Sequence, residues 1–183
     1  MASNTIHEIK SYTPKALDVF FFDANVWIYI FFPRQNFQRQ YQIAYSDFFS
    51  KIRSRNLPIY INALILSELS NAYMNDAYMV WKSNQSDQSK INKKNDFRPS
   101  AEYKKALLEI KTIIETILKI AIRSSDEFNS ISMVDVLNEH ASKEFNDSYY
   151  VVFAKHKKIK IVTHDSDILK NNYLGIEVIT ANT

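Results

Sequence analysis

Two residue types on which many functional sites depend are missing or nearly missing from this sequence. Cysteine does not occur, which excludes disulfides, thiol nucleophiles and cysteine-based zinc sites. Glycine occurs once, at Gly175. Phosphate-binding loops of the Walker and dinucleotide-binding kinds need several glycines at fixed spacing, because only glycine lets the backbone approach a phosphate so closely. The sequence therefore excludes both kinds of nucleotide-binding loop.

Long apolar runs are absent as well. No stretch approaches the roughly 20 apolar residues that a membrane helix needs, and residues 1–10 lack the basic segment and apolar run of a signal peptide. We therefore expect a cytoplasmic protein without a membrane partner. The length of 183 residues suits one domain with a sizeable core. The net charge of +3 is compatible with a polyanionic partner but does not require one.

Apolar patterning predicts strands that alternate with helices. Short apolar runs typical of buried strands occupy residues 17–22, 57–61, 159–163 and 176–180, with Gly175 supplying the turn into the last one. Helical spacing predicts helices over residues 26–32, 36–53, 63–80, 101–123 and 146–157, and a short one that begins at Ser132. Residues 82–96 are polar and predict an exposed insertion. This order predicts one α/β domain over residues 1–183, with a mainly parallel central sheet and helices on both faces.

Acidic residues follow two of the predicted strands. Asp23 comes directly after the first strand, and Asp165 comes two residues after the strand at 159–163, with Asp167 on the same loop. In parallel sheets, ligands bind at the carboxyl ends of the strands. Taken singly, such an acid is more often a turn residue or a helix N-cap than a functional group.

Further acids lie on helix faces that also carry apolar residues. Glu68 falls within the apolar stripe of the helix at 63–80. Asp147 does so on the helix at 146–157, with Glu144 one turn earlier. For Glu68 alone, an arginine or lysine partner is as good an explanation as a metal ion. If these carboxylates converge, however, two of them 4 Å apart repel by about 4 kcal/mol at an effective dielectric of ~20. A hard cation, Mg²⁺ or Mn²⁺, would neutralise such an all-oxygen cluster.

Four segments of the sequence resemble the motifs of the PIN-domain nucleases. They are an apolar strand that ends at Asp23 and is followed by Ala24 and Asn25, a helical pair of Ser67 and Glu68, the paired acids Glu144 and Asp147, and a strand that runs into Thr163, Asp165 and Asp167. The resemblance covers nearly the whole chain. Ala24 stands where the family usually has threonine or serine, and none of the departures removes a principal carboxylate.

This resemblance implies a three-layer α/β/α fold and a Mg²⁺- or Mn²⁺-dependent endonuclease that acts mainly on single-stranded RNA. It also implies roles for individual residues. The catalytic carboxylates would bind the metal together with Asp167, and they are Asp23, Glu68, Asp147 and Asp165. The residues that would orient these ligands or a water molecule are Asn25, Ser67, Glu144 and Thr163. Such a site suits phosphodiester hydrolysis, because a bound divalent ion lowers the pKa of water and stabilises charge on the phosphate oxygens.

Basic residues around the polar insertion are weaker candidates for RNA contacts. Lys93, Lys94 and Arg98 lie close in sequence to Phe97 and Tyr103. Basic residues interleaved with aromatic ones suit single strands, whose bases stack on rings. A solvated charged loop is the commoner explanation of such a segment.

Other functions remain open at the level of sequence. A phosphatase of the haloacid-dehalogenase kind would use Asp23 as its nucleophile, but it needs a second acid two residues later, where this chain has Asn25. A catalytically silent RNA-binding or scaffold protein of the same fold has no reason to keep mutually repelling acids. Within the resemblance, a toxin with a protein antitoxin, an RNA-processing enzyme and a homodimer are all compatible with this sequence.

Overall fold

The chain folds into alternating strands and helices, which a computed structural model describes for residues 4–32, 38–140, 144–170 and 175–182. The strands are β1 (Thr5–Glu8), β2 (Phe20–Phe22), β3 (Ile59–Ile61), β4 (Ile122–Arg123), β5 (Lys160–Val162) and β6 (Glu177–Thr180). The helices are α1 (Ala24–Phe31), α2 (Arg39–Ser54), α3 (Ala63–Ser83), α4 (Ala101–Ile120), α5 (Met133–His140), α6 (Phe145–Lys157) and α7 (Ser166–Leu169). Two shorter helical turns lie between α3 and α4, at Gln88–Lys90 and Lys93–Phe97. No helix in these ranges is both long and apolar enough to cross a membrane.

The six strands of the described residues form one parallel sheet in the order β1-β6-β5-β2-β3-β4. At its centre β2 pairs with β5 on one side and with β3 on the other. Because the strands are parallel, the residues that follow β2, β3 and β5 lie at one edge of the sheet. We call this the carboxyl edge, and the opposite edge, where the strands begin, the amino edge.

Strand β2 shows why helices cover both faces of the sheet. Side chains alternate along a strand, so Phe20 packs against Phe48 of α2, with ring centroids 5.7 Å apart, whereas Phe21 packs against Tyr150 of α6 at 5.4 Å. All three phenylalanines of β2 are fully buried. The apolar run is continuous because neither face of this strand meets water. The predicted α/β fold, with three layers and a parallel central sheet, is confirmed.

The four predicted strands are the four inner strands of the sheet, and the outer strands β1 and β4 were not predicted. Strand β4 has two residues and is defined by its pairing with β3, where Ile122 lies opposite Tyr60. The helix predicted to reach about Arg123 therefore ends at Ile120. The strand predicted at residues 17–22 is β2, which begins at Phe20. Leu17 lies before it and is 94% exposed. Partner strands set these boundaries, and local periodicity does not report them.

The second predicted helix corresponds to α2. Helix α2 begins at Arg39. The predicted start at residue 36 lies outside the described residues.

The chain divides into two compact units, Met1–Ile65 with Ala121–Thr183, and Leu66–Ile120. The sheet belongs to the first unit. The second unit contains most of α3, the two short helical turns and α4.

Aromatic side chains form a core within the second unit. Phe97 is fully buried there against the rings of Tyr78, Trp81 and Tyr103, at centroid distances of 5.5, 5.3 and 5.3 Å. Residues 82–96 are largely exposed, as predicted. They are not irregular throughout, however, because α3 continues into this segment and both short turns lie in it or overlap it.

Candidate active site at the carboxyl edge of the sheet

Two aspartates reach the carboxyl edge because they follow adjacent strands. Asp23 directly follows β2, and Asp165 is the third residue after β5. The backbone N–H of Asp23 donates to the carbonyl of Val162 at 3.0 Å, which ties the end of β2 to the end of β5. Asp23 is only 3% exposed, so its carboxylate needs close polar partners within the protein.

Thr163 and Asn25 supply such partners. The hydroxyl of Thr163 and the side-chain amide of Asn25 each donate to Oδ2 of Asp23 at 2.6 Å. The Thr163 hydroxyl in turn accepts the backbone N–H of Asp165 at 2.9 Å, and Oδ1 of Asn25 accepts the backbone N–H of His164 at 3.1 Å. One hydroxyl and one amide therefore fix the carboxylate of Asp23 relative to the backbone of the loop that carries Asp165.

The loop after β5 presents Asp165 and Asp167 at the start of α7. The side chain of Asp165 caps this helix, because its Oδ1 accepts the backbone N–H of Asp167 at 2.6 Å. Its other carboxylate oxygen accepts no hydrogen bond from the described residues. Asp167 is exposed, and its carboxylate lies 3.8 Å from Nζ of Lys170. The cap explains the fold of this turn, and the remaining oxygen of Asp165 is available to a ligand.

The third pair of predicted acids lies at the start of α6. Asp147 is buried in the first turn of the helix, at 8% exposure. Glu144 is exposed and stands at the N-cap position without a side-chain capping bond. Its carbonyl accepts the hydroxyl of Ser148 at 2.9 Å. The structure therefore buries one of these two acids and leaves the other at the surface.

A buried acid that the sequence patterns did not single out is Glu139 of α5, which is 7% exposed. It lies three residues after Val136, which is fully buried, and helix α5 packs against α6. The spacing to Val136 is the signal that points to a buried position. Two other apolar residues of this helix, Val134 and Leu137, are exposed, so the hydrophobicity of the helix does not show which face is buried.

Glu68 and Ser67 lie on the second turn of α3, in the unit Leu66–Ile120. Glu68 is partly buried and Ser67 is exposed. The helix starts after Asn62, whose Oδ1 accepts the backbone N–H of Ile65 at 3.1 Å. Asn62 follows β3 and is therefore a further buried polar residue at the carboxyl edge, one that the sequence patterns did not identify.

The donor groups at the carboxyl edge fit a hard divalent cation. Carboxylate oxygens are ligands that Mg²⁺ and Mn²⁺ prefer. Asp23 and Asp165 bring carboxylates to adjacent strand ends, and the hydroxyl of Thr163 connects them. Within the described part of the chain, no three Asp, Glu or His side chains stand close enough together to hold a metal ion. The contacts link Asp23 with Asp165, and the larger carboxylate cluster stays a prediction.

An aromatic cluster adjoins the loop after β5. Tyr45 of α2 is fully buried, and its hydroxyl donates to the carbonyl of Thr163 at 3.0 Å and lies 3.1 Å from Nδ1 of His164. Burial raises the pKa of Tyr45 to about 12, so this hydroxyl keeps its proton at neutral pH. Burial also lowers the pKa of His164, although the charge of Asp165 acts in the opposite direction. The imidazole next to Asp165 is therefore largely neutral at physiological pH.

The basic residues predicted to contact RNA lie in the second unit. Lys94 and Arg98 are exposed. Lys93 donates to the side-chain oxygen of Asn75, and its ammonium lies 5.6 Å from the ring centroid of Tyr78. Lys93 thus has partners within its own unit, while Lys94 and Arg98 point their charges to the surface.

Comparison with known proteins assigns the chain to a family. The sequence model of the PIN domain matches residues 20–172, a range that contains every predicted site residue. A comparison with curated proteins gives no match.

Solved structures include relatives in fold. VapBC2 from Rickettsia felis, in a structure "bound to a DNA fragment from their promoter", superposes with a TM-score of 0.54 at 11% identity, over 88% of this chain and 98% of that one. PAE2754 from Pyrobaculum aerophilum gives a TM-score of 0.49 at 15% identity, over 93% of this chain and 90% of that one. At such identities the likeness to VapBC2 concerns the fold alone. The match of the PIN-domain model over most of the sequence shows that this chain belongs to the PIN-domain family.

Proposed function

We propose that this protein is a divalent-metal-dependent endoribonuclease that hydrolyses single-stranded RNA. PIN-domain proteins are nucleases and generally use divalent metals, so membership of the family supports a nuclease of the hydrolase class. One observation in this chain carries the proposal further. A single hydroxyl, that of Thr163, binds both the carboxylate of Asp23 and the backbone of Asp165 at the carboxyl edge.

The proposed ligands of Mg²⁺ or Mn²⁺ are all carboxylates: Asp23, Glu68, Asp147, Asp165 and Asp167. A bound divalent ion lowers the pKa of water and stabilises the charge that develops on phosphate oxygens during hydrolysis. These carboxylates would hold the ion, and the bound ion would position the scissile phosphate. Because these ligands are hard oxygen donors, the site favours ions that carry waters and phosphates together.

Other side chains hold the ligands in place. Thr163 and Asn25 bind Oδ2 of Asp23 and so set the direction of its other oxygen. Groups that orient a metal ligand commonly change metal affinity or activity 10- to 100-fold when they are removed. We also propose that Ser67 and Glu144 orient ligands, because Ser67 directly precedes Glu68 and Glu144 lies three residues before Asp147.

The phosphatase alternative is weakened by the position of Asn25. A nucleophilic Asp23 would need an acid two residues later to exchange a proton with the leaving group. The amide of Asn25 donates to Asp23 and its oxygen accepts the N–H of His164, so it bridges two elements and has no proton to exchange at neutral pH. A silent RNA-binding or scaffold protein remains the second candidate, and the cleavage experiment below separates it from a nuclease.

The proposal also includes a single PIN domain and a protein partner. We treat both units as parts of one PIN domain, because the match over residues 20–172 extends across both. A protein antitoxin is the proposed partner, supported by the likeness in fold to VapBC2. A homodimer, a role in RNA processing, a cytoplasmic location and RNA contacts by Lys93, Lys94 and Arg98 stay predictions.

Cleavage of a labelled single-stranded RNA, with Mn²⁺ or with EDTA, tests the proposed function. We expect wild-type protein to cut only with Mn²⁺, and Asp147→Asn and Asp165→Asn to cut about 1,000-fold more slowly, which corresponds to about 4 kcal/mol in the barrier. Asp47→Asn is the matched control, because this acid is exposed on α2 and outside the proposed site.

Two results would contradict the nuclease. Equal cutting by wild type and both site variants would mean that the activity comes from elsewhere. Absence of cutting together with absence of Mn²⁺ binding would favour the silent scaffold.

Expression of the chain alone and then with the neighbouring gene tests the proposed antitoxin. Growth arrest that the neighbouring gene relieves supports an antitoxin, and normal growth of cells that contain active enzyme counts against it.

A further inference from the structure

Partly exposed aromatic rings lie beside the aspartates of the carboxyl edge. Tyr29 of α1 and Tyr41 of α2 both contact the ring of His164, with centroids 5.1 and 4.4 Å apart. All three side chains are partly exposed. His164 stands between Thr163 and Asp165 in the sequence, so the cluster adjoins the proposed site directly. We call Tyr29, Tyr41 and His164 the aromatic platform.

The buried side chain of Tyr45 contacts two members of the platform, Tyr29 and His164, and holds them in place. Its ring stacks on that of Tyr29 at 5.4 Å with an interplanar angle of 22°. Its hydroxyl contacts His164 and also accepts the backbone N–H of Ala181 at 3.1 Å. A side chain with three polar contacts and no exposure has a single orientation, so the rings that rest on it are ordered before any ligand arrives.

The backbone of His164 is fixed as firmly as its ring. Its N–H donates to Oδ1 of Asn25 at 3.1 Å, and its carbonyl accepts the side-chain amide of Asn182 at 3.0 Å. Asn25 also binds Asp23. The same amide therefore sets the distance between the platform and the carboxylates, so a ligand that occupies both must have an aromatic group and a phosphate at a fixed spacing.

We propose that the aromatic platform binds an unpaired nucleobase of the nucleotide next to the scissile phosphate. The inference rests on the proposed function and names how that site would recognise its substrate. Every nucleobase has a π-face, and stacking on protein rings is a general means of binding single strands. A base inside a duplex is already stacked on its neighbours and cannot reach the platform. The platform would therefore select single-stranded RNA.

A purely structural role explains these rings less well. Tyr45 has the features of a structural tyrosine, since it is fully buried and its hydroxyl is hydrogen-bonded. Tyr41 differs on both counts: it is partly exposed, and its hydroxyl makes no hydrogen bond with the described residues.

Binding of fluorescein-labelled single-stranded RNA in EDTA, followed by fluorescence anisotropy, tests the platform without any cleavage. We expect Tyr41→Ala to weaken binding about tenfold and Tyr41→Phe to leave it within about twofold, because stacking needs the ring and not the hydroxyl. Phe128→Ala is the control, since this aromatic residue is 58% exposed and lies outside the platform. Thermal unfolding of each variant checks that it is folded.

An abasic scan of the same RNA makes the test specific. Removing one base should weaken binding to wild type about tenfold and leave binding to Tyr41→Ala unchanged, because the base and the ring are partners in one contact. The proposal is wrong if removing a base weakens binding to wild type and to Tyr41→Ala by the same factor at every position. It is also wrong if Tyr41→Ala binds the intact RNA as tightly as wild type does.

The outcomes separate this proposal from the nuclease itself. Wild type that cuts RNA with Mn²⁺, together with a Tyr41→Ala variant of unchanged KM, would overturn the platform and keep the nuclease. Wild type that loses affinity for the abasic RNA as expected but never cuts RNA would support the platform and contradict the nuclease. If Tyr41→Ala impairs only the binding of the proposed antitoxin, the rings belong to a protein interface and the nucleobase proposal fails.

Discussion

Strand β2 has an aspartate near each end, and the two carboxylates have different surroundings. Asp18, at the amino edge, accepts the hydroxyl of Tyr12 at 2.7 Å and the backbone N–H of Lys15 at 2.8 Å, and it lies 3.6 Å from the ammonium of Lys160. Asp23, at the carboxyl edge, accepts from the neutral side chains of Thr163 and Asn25 described above. Both aspartates are nearly fully buried.

The amino edge continues this pairing of opposite charges across neighbouring strands. Lys160, the first residue of β5, also forms an ion pair with Glu177, the first residue of β6. Glu177 in turn lies 3.1 Å from Nε2 of His7 on β1. Each buried or partly buried acid of this cluster therefore has a cation within the chain, as a buried charge requires.

The contrast indicates what each edge contributes. Charges matched within the chain stabilise the fold and leave nothing for a ligand. At the carboxyl edge, the hydroxyl of Thr163 and the amide of Asn25 hold Asp23, and in our proposal this carboxylate binds an external cation. Residues that a protein keeps for ligand binding commonly lower its stability in exchange for activity. The same residue type at two ends of one strand should therefore respond oppositely to the same substitution.

The largest expected effect is the difference between Asp23→Asn and Asp18→Asn. We expect Asp23→Asn to lower the rate of RNA cleavage about 1,000-fold, or about 4 kcal/mol, with little change in the free energy of unfolding. Asp18→Asn should leave cleavage near the wild-type rate and lower the free energy of unfolding by about 2 kcal/mol, because Lys160 loses a buried partner. Cleavage rates and urea unfolding of both variants measure this. If both variants lost cleavage rate and free energy of unfolding to the same extent, the two aspartates would not have the different roles that we propose.

A smaller effect is expected from Thr163, which holds Asp23 but does not ligate in our proposal. Thr163→Val removes the hydroxyl that links Asp23 to the backbone of Asp165, and we expect it to weaken Mn²⁺ binding about 30-fold. Thr163→Ser keeps the hydroxyl and should restore most of the affinity. Calorimetric titration with Mn²⁺ gives the readout. If valine and serine bind the ion equally, the hydroxyl has no part in holding the site.

Local sequence patterns predict the parts of this fold that local interactions determine. The inner strands follow from apolar runs such as Phe20–Phe22, and the acids that follow those strands must lie at one edge of a parallel sheet. Strand β4 could not be predicted, because two residues have no periodicity and take their conformation from β3.

The site is predictable to a similar extent. The resemblance led to Asn25 and Thr163, and the structure places both against Asp23. Tyr41 lies on α2, which carries none of the proposed ligands, so no spacing in the sequence links it to the site. Tyr29 lies on α1, four residues after Asn25, but its apolar neighbours gave no reason to single it out. Glu139 was missed for another reason, because its helix exposes Val134 and Leu137 and buries an acid.

The smallest expected effect is a dependence of the amino edge on pH. Burial acts to raise the pKa of Asp18, but the backbone N–H of Lys15, the hydroxyl of Tyr12 and the charge of Lys160 outweigh it and hold the pKa below its ordinary value of 3.8. A carboxyl whose pKa is lowered by folding stabilises the native state above the unfolded pKa, and this contribution is lost as the pH falls through the folded value.

The melting temperature of wild type should therefore exceed that of Asp18→Asn by about 6 °C at neutral pH, from about 2 kcal/mol in a chain of this size. The gap should narrow as the pH falls below about 4, where wild type takes up the proton that the variant cannot bind. Thermal unfolding between pH 7 and pH 2.5 measures it, with Asp47→Asn as the exposed control whose gap stays small throughout. A gap that is constant with pH would mean that Asp18 contributes shape and hydrogen bonds rather than charge, and the electrostatic contrast between the two ends of β2 would then rest on Asp23 alone.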